Sequence, residues 1–373
     1  MILTIIYLAT TILGYTGSET PKLLREKDYL DFGVKVQDAV NSSNPKFFEN
    51  SFYFSVVGKY LDSLKLSGTR EKNYRKEAVS KYLNAMQVLI ANVQNGGHFE
   101  MVGVYVDEIE KKGHVIFESY LNYVDFIDFE LEAHGDAIYI VDFFSYYSGD
   151  YFSSSIFNHV RNELEHGNLG GMYVAAQREL YNVQGYEKRG QYEKAWQAFG
   201  RIPLQFQTQK TFYFVKLELS KYISEAAYLN TIENFIQSYP EDERFIALQL
   251  VNFFLTTSEG KSALEEITLL QNYVGESTLL KYLKGQAYYK IGDYKNALEN
   301  YELAIEHVHS LYPAHVGKLT VLLRDKDYVS VLEQVDKMNE VFGIDSEEWD
   351  NFFELYPEFL QSEYYSKVKE NLN

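Results

Sequence analysis

From residue 172 onward, apolar positions recur at the three- and four-residue steps that are typical of amphipathic helices. A tyrosine follows a short polar turn at positions 192, 294 and 328, and Tyr228 is a further match to this pattern. The steps between them are 36, 66 and 34 residues, and 66 is two steps of 33, so one turn near 258–262 has no tyrosine. The pattern predicts five helical hairpins, over residues 172–202, 206–239, 242–273, 276–310 and 313–343.

The fourth hairpin has the clearest pattern, because small and aromatic residues stand where two antiparallel helices would interlock. Gly285 and Ala297 lack bulk and would let the helices approach, whereas Tyr288 and Tyr301 would fill the space between neighbouring hairpins. One hairpin cannot bury its own apolar face, so we expect the hairpins to stack into an all-α solenoid.

Such a stack needs a polar cap beside its last hairpin. Residues 345–373 combine acidic and aromatic positions, and we predict a C-terminal capping helix there. The side chains expected to face the last hairpin are Trp349, Phe352, Phe353 and Leu355.

Residues 20–165 show helical spacing first and extended spacing afterwards. The clearest helix lies within residues 74–94, where Ala78, Tyr82 and Met86 recur at helical steps. The strands that follow belong in our interpretation to the same domain, so we predict an α+β fold with its helices before its sheet.

Residues 98–147 are rich in β-branched and aromatic residues, which predicts about four antiparallel strands. Ile127 and Phe129 alternate with Asp128 and Glu130. We therefore expect the acidic side chains to face solvent, on a sheet that has one face exposed to water. The glycine-rich residues 166–171 are the predicted boundary between this domain and the hairpins of residues 172–343.

The interval near 34 residues and the pattern of the fourth hairpin resemble the tetratricopeptide repeat family. The residues that carry the resemblance are Gly285, Tyr288, Gly292, Tyr294, Ala297, Tyr301 and Ala304. The first hairpin has a similar pattern, whereas the third and fifth are degenerate. The resemblance implies a right-handed superhelix whose concave groove is lined by the first helix of each hairpin.

Carrying the family pattern over residue by residue gives the candidate groove. Its residues are Gln177, Leu180, Gln184, Lys188, Lys216, Ser220, Tyr282, Gln286, Tyr289 and Lys290. Family members that clamp a peptide carboxylate use Lys, Arg and Asn there, whereas these positions are mostly Tyr and Gln. An extended or helical peptide held by side-chain packing suits such a surface. The alternative is that these side chains are only solvated or are covered by the N-terminal domain.

The order of helices before a curved sheet in residues 25–155 resembles the nuclear transport factor 2-like cone domains. The string LNYVDFIDFEL also resembles the N-terminal domains of uncharacterised bacterial tetratricopeptide proteins. Such cones often have a pocket used for ligands, catalysis or dimerisation. A pocket enclosing Asp125 or Asp142 would favour a ligand-binding or catalytic domain. Hydrogen-bonded structural carboxylates are the alternative.

Composition and sequence motifs exclude several classes of function. The chain of 373 residues has a net charge of −18, which disfavours non-specific binding to nucleic acid and to anionic membranes. It has no cysteine, which excludes disulfides and thiolate chemistry. We find no HExxH, GxSxG or phosphate-binding glycine motif, so we predict no catalytic residues, no metal and no cofactor.

Residues 1–15 are almost wholly apolar and too short to span a bilayer. We interpret residues 1–17 as a signal peptide, with a buried first helix as the alternative. The first interpretation places the protein in the periplasm or outside the cell, and the second in the cytoplasm. The whole pattern predicts a non-enzymatic scaffold, adaptor or chaperone that binds a protein or peptide, without stable membrane insertion. The alternative is a small-ligand or catalytic pocket in the N-terminal domain.

Overall fold

The computed structural model describes residues 22–121, 123–135, 137–165, 170–238 and 243–371. The signal peptide predicted for residues 1–17 and most of the boundary predicted at 166–171 lie outside these ranges. The chain forms two compact units. Of the described residues, the first unit contains 22–95, 99–119 and 125–246, and the second contains 96–98, 120–124 and those from 247 onward. The domain limits derived from the sequence stay predictions.

Of the described helices, those that precede the sheet are α1 (Glu26–Asn41), α2 (Lys46–Glu49), α3 (Ser55–Ser63) and α4 (Gly68–Gln94). The buried face of α4 includes Ala78, Tyr82, Met86 and Ile90, which recur at helical steps. The helix ends just before Gly96, whose φ of 88° is a left-handed conformation that glycine adopts readily. The apolar stripe therefore determines which face of this helix is buried, and the glycine determines where the helix ends.

The sheet is a meander in the order β1-β2-β3-β4-β5. Its strands are β1 (His98–Asp107), β2 (Lys112–Tyr120), β3 (Val124–His134), β4 (Ala137–Ser145) and β5 (Asp150–Tyr151). The prediction of an α+β domain with its helices before an antiparallel sheet is confirmed. The two-residue β5 was not predicted, because so short a strand shows no alternation.

One face of this sheet packs against the helices. Tyr29 of α1 and Tyr82 of α4 are fully buried in one cluster with Phe117 and Phe129 of the strands. Gly113 of β2 makes this packing close, because a Cβ atom there would overlap the Tyr29 ring. The helices therefore cover the face of the sheet that the apolar alternation identified.

Helices alone follow the sheet. The first unit continues with α5 (Phe152–Glu165), α6 (Gly170–Glu187), α7 (Tyr192–Gly200), α8 (Leu204–Gln207), α9 (Lys210–Ser220) and α10 (Glu225–Ser238), and α11 (Glu243–Thr256) contributes residues to both units. The second unit contains α12 (Gly260–Val274), α13 (Thr278–Lys290), α14 (Tyr294–His307), α15 (Tyr312–Asp325) and α16 (Tyr328–Phe342). These successive helix pairs confirm the predicted fold class of tetratricopeptide-like hairpins.

One tyrosine ring packed between two glycines joins two successive hairpins of the second unit. Tyr301 of α14 is buried between Gly285 of α13 and Gly317 of α15. A Cβ atom at Gly285 would lie 2.7 Å from the tyrosine ring, and one at Gly317 would lie 2.5 Å from it. We call Gly285, Tyr301 and Gly317 the ring seam. Only glycine fits these two positions while the ring stays in place.

The chain ends in short helices rather than the single capping helix expected, namely α17 (Ser346–Phe353), α18 (Pro357–Leu360) and α19 (Glu363–Asn371). Trp349 and Phe353 are buried, as expected, in a cluster with residues of α15 and α16. Leu355 is 75% exposed, so its predicted inward orientation is wrong. It lies in the turn after α17, and Phe359 of α18 is buried in that cluster instead.

Candidate functional site

The predicted groove residues of the second unit lie on α13. Tyr282, Gln286 and Tyr289 are four and three residues apart, so they share one face of the helix, and all are half-buried. The ring of Tyr282 lies 6.3 Å from that of Tyr301, and burial raises the pKa of Tyr282. Lys290 is exposed, and its Nζ donates to Ser258 Oγ at 3.3 Å.

The predicted groove residues of α6 are of mixed exposure. Gln184 and Lys188 are exposed. Gln177 and Leu180 are half-buried, and Gln177 Nε2 donates to the hydroxyl of Tyr173 at 2.9 Å. This part of the predicted surface is therefore more solvated than the α13 face.

On α9, Lys216 is half-buried and its ammonium lies 5.6 Å from the centre of the Tyr213 ring. Ser220 is 0% exposed and donates to the carbonyl oxygen of Leu217 at 2.6 Å. Ser220 therefore has no surface to offer to a partner. The assignment of the groove as a whole stays a prediction.

The acidic side chains on the second face of the sheet are buried, so the expectation that they face solvent is wrong. Asp128 is 0% exposed, and Glu130 and Glu132 are also buried. Each acid has a nitrogen partner at short range. The pairs are Asp128 with His114 (3.0 Å), Glu130 with Lys112 (2.6 Å) and Glu132 with His134 (3.1 Å). We call these six residues the charged face.

Asp128 is the most fully engaged acid of this face. Tyr105 donates its hydroxyl proton to Asp128 at 3.1 Å, and its ring stacks on that of His114 at 4.4 Å. Arg244 of α11 places a guanidinium nitrogen 3.4 Å from the same carboxylate. The buried charge thus has an aromatic hydroxyl, an imidazole and a guanidinium as partners, as burial of a carboxylate requires.

Arg244 itself is fixed on several sides. It donates to the hydroxyl of Tyr151 at 2.9 Å, and its guanidinium lies 4.8 Å from the centre of the Phe144 ring. Burial alone would lower the pKa of Arg244, but interactions with Tyr151, Tyr146 and Asp128 raise it overall. The sequence analysis missed Arg244, because 116 residues separate it from Asp128 and no local pattern links the two.

The two candidate general bases are held by hydrogen bonds. Asp125 accepts from Ser145 Oγ at 2.8 Å and from the backbone amide of Tyr147 at 2.8 Å. Asp142 accepts from the Tyr82 hydroxyl at 3.0 Å and from Ser153 Oγ. Burial raises the pKa of Asp125 to about 7 and that of Asp142 to about 6, although these hydrogen bonds oppose the change.

A cavity of about 120 Å³ lies in the first unit. It is lined by Phe143, Ser145, Ser148, Asp150, Tyr151, Phe152, Ser155, Lys210 and Phe214. Neither Asp125 nor Asp142 lines it, so this cavity does not support a catalytic role for either carboxylate. Its walls combine aromatic rings with one Lys–Asp pair, a lining that is typical of small-ligand pockets.

Within the described residues, His98 and Glu100 of β1 and Glu118 of β2 bring metal-ligating atoms within 4.8 Å of one another. Two carboxylates and an imidazole form a donor set that divalent cations accept. Each of the three residues already has an interaction partner. The prediction of no metal site therefore stays a prediction.

No protein-family model and no curated protein matches the chain. Among solved structures, MamA (residue 41 to its end) from Desulfovibrio magneticus is 14% identical, with a TM-score of 0.34 over 45% of this chain and 94% of that chain. A tetratricopeptide repeat protein from Parabacteroides merdae is 12% identical, with a TM-score of 0.34 over 49% of this chain and 72% of that chain.

The tetratricopeptide-like fold is defined by the helical hairpins themselves. The resemblance to nuclear transport factor 2-like domains stays a prediction. None of the described helices is both long and apolar enough to cross a bilayer.

Proposed function

We propose that the chain is a non-enzymatic interaction scaffold that binds a peptide segment of a partner protein, with α13 as its main contact. The observation that carries the proposal is the two-sided character of α13. Leu280, Leu283 and Ala287 share one face of the helix and are buried, whereas Tyr282 and Tyr289 are only half-buried on the groove face. A helix fixed on one side can present rings on the other at little cost in conformational entropy.

The side chains of this face favour packing over charge recognition. Two tyrosines flank Gln286, which can donate to and accept from a peptide backbone. Tyrosine provides a large contact area and a polar tip, which is why it is common in binding surfaces. We therefore expect affinity to depend on apolar side chains of the partner.

The net negative charge of the chain favours some classes of partner over others. Asp and Glu number 53 against 35 Lys and Arg, so the long-range field favours neutral or basic segments. We expect captured peptides to be rich in Lys and Arg, and their association to slow as salt is added.

Affinity capture with the immobilised full chain tests the proposal. Peptides from a digested native lysate are captured with the wild type and with the double variant Tyr282→Ala/Tyr289→Ala, and are identified by mass spectrometry. We expect the double variant to lose most of the captured set. Tyr222→Ala is the control, because this tyrosine is 54% exposed, lies in the turn after α9 and is not among the predicted groove residues.

Circular dichroism must show that all variants are folded. Equal capture by the folded double variant and the wild type would contradict the role of α13. The extracytoplasmic location is a separate proposal that rests on residues 1–17, and N-terminal sequencing of the mature protein tests it.

A further inference from the structure

The cavity near β5 combines apolar walls with one cation and one anion. Phe143 and Phe152 stack on each other with ring centres 4.6 Å apart. Phe214 of α9 belongs to the same wall, and its ring packs edge-on to Tyr147 at 4.9 Å. These contacts are made by residues of the sheet, α5 and α9, so several elements fix the shape of the wall.

The charged groups are Lys210, at the start of α9, and Asp150 of β5. Lys210 Nζ and Asp150 Oδ1 form an ion pair at 3.9 Å, and Asp150 Oδ1 also accepts a hydrogen bond from the backbone amide of Tyr151 at 3.0 Å. Each side chain is about four-fifths buried, with 21% of the lysine and 19% of the aspartate exposed. Charges in so little water interact more strongly with a ligand than surface charges do.

We propose that this cavity is a binding site for a small aliphatic α-amino acid, whose carboxylate meets Lys210 and whose ammonium meets Asp150. The aliphatic side chain would pack on Phe143, Phe152 and Phe214. This site is distinct from the α13 face and does not depend on the peptide-binding proposal.

Size and charge both favour this class of ligand. A volume of about 120 Å³ is well below that of ordinary drug-sized pockets, so it selects a molecule of few atoms. A simple anion would approach Lys210 but be repelled by Asp150, and a simple cation would meet the reverse. A zwitterion presents an opposite charge to each group and leaves the local charge unchanged.

The serine hydroxyl groups that line the cavity differ in how they can contact a ligand. Ser145 donates to Asp125 at 2.8 Å and accepts from the backbone amide of Ser148 at 3.1 Å, so it belongs to the framework of the cavity. Ser155 of α5 is half-buried at the cavity wall. Ser148 is also half-buried and lines the cavity, so either hydroxyl can provide a further polar contact.

Isothermal titration of the full chain tests the proposal, with L-valine as the probe. Isovalerate has the same skeleton without the ammonium, isobutylamine lacks the carboxylate, and glycine lacks the aliphatic body. We expect valine to bind with one site per chain, and each of the three analogues to bind at least about tenfold more weakly, since each lacks a charge or the apolar contact.

Variants locate the binding. Lys210→Met and Asp150→Asn should each weaken valine binding by about tenfold or more, because each removes one charge-assisted contact. Lys194→Met is the matched control, since Lys194 is an exposed lysine of α7 that does not line the cavity. Its valine affinity should equal that of the wild type.

Absence of valine binding to the wild type would overturn the proposal. So would unchanged affinity in folded Lys210→Met and Asp150→Asn. If neither charge variant folds, the wild-type ranking decides, because isovalerate or isobutylamine binding as tightly as valine would exclude recognition by both charges.

Discussion

The ring seam and the charged face both bury polar atoms, but they do so by different means. In the ring seam, two missing side chains make space for one tyrosine, and the fit is almost wholly steric. In the charged face, three buried carboxylates are each held by a nitrogen partner, and the fit is electrostatic. Steric fits depend little on solvent conditions, whereas buried charges depend on every partner being present and correctly protonated.

Removing the ring should have the largest effect. Tyr301→Ala empties a site bounded by Gly285 and Gly317, neither of which has a side chain to fill the space. We expect the free energy of unfolding to fall by about 3–5 kcal/mol, as for other buried aromatic truncations. Urea denaturation measures it, with the exposed Tyr181→Ala as control. A loss equal to that of the control would show that the seam does not hold the hairpins.

A change of pH should alter the stability of the first unit, which contains the sheet, and should leave the ring seam of the second unit unaffected. Burial raises the pKa of Asp125 from 3.8 to about 7, so the folded state binds this proton more tightly than the unfolded state does. The contribution of Asp125 to stability is therefore fully present below pH 3.8 and is lost as the pH rises to about 7.

Asp125→Asn removes this titration. We expect its stability relative to the wild type to improve on the order of 3 kcal/mol between about pH 4 and about pH 7. Denaturation across that range gives the difference, with the exposed Asp31→Asn as control. A constant offset between Asp125→Asn and the wild type at every pH would contradict the prediction.

Arg244→Met should destabilise by about 2–3 kcal/mol, because it leaves the fully buried Asp128 with one charged partner fewer. The loss is below that of a fully isolated charge, since His114 and Tyr105 still contact the carboxylate. Thermal denaturation measures it, with the exposed Arg178→Met as control. A double variant Arg244→Met/Asp128→Leu should recover part of the loss.

The smallest effect is expected for a single added methyl group. Gly285→Ala places a Cβ atom 2.7 Å from the Tyr301 ring, which must move, at a cost of about 1–2 kcal/mol. Gly200→Ala is the matched control in α7, because a Cβ atom there meets nothing within 4 Å. The control should be neutral or slightly stabilising. The same response in both variants would remove the steric account of the ring seam.

The hairpins could be predicted from the sequence because their interactions are local and periodic. Gly285 and Tyr301 stand 16 positions apart within one hairpin, so a repeat pattern reveals them. The charged face could not be predicted in the same way. Alternation shows that Asp128 and Glu130 share a side of the strand, but it does not show whether that side is covered.

The partners of Asp128 and Glu130 come from other strands and from α11, at distances along the chain that no periodicity encodes, whereas Glu132 pairs with His134 of its own strand. The misplaced Leu355 has a similar cause. Its position in an acidic, aromatic stretch favoured burial, but a turn after α17 directs it to solvent, and Phe359 is buried instead.

Tyr301 has consequences for how the hairpin array can be shortened. The ring belongs to α14, yet part of its surroundings comes from α15, so the hairpin that supplies it does not complete its environment. A chain truncated after His307 would expose this ring at its new C-terminal end. Removing the last hairpin therefore leaves an exposed apolar surface, prone to aggregation, at the new C-terminus. The minimal independently stable fragment must extend at least through α15.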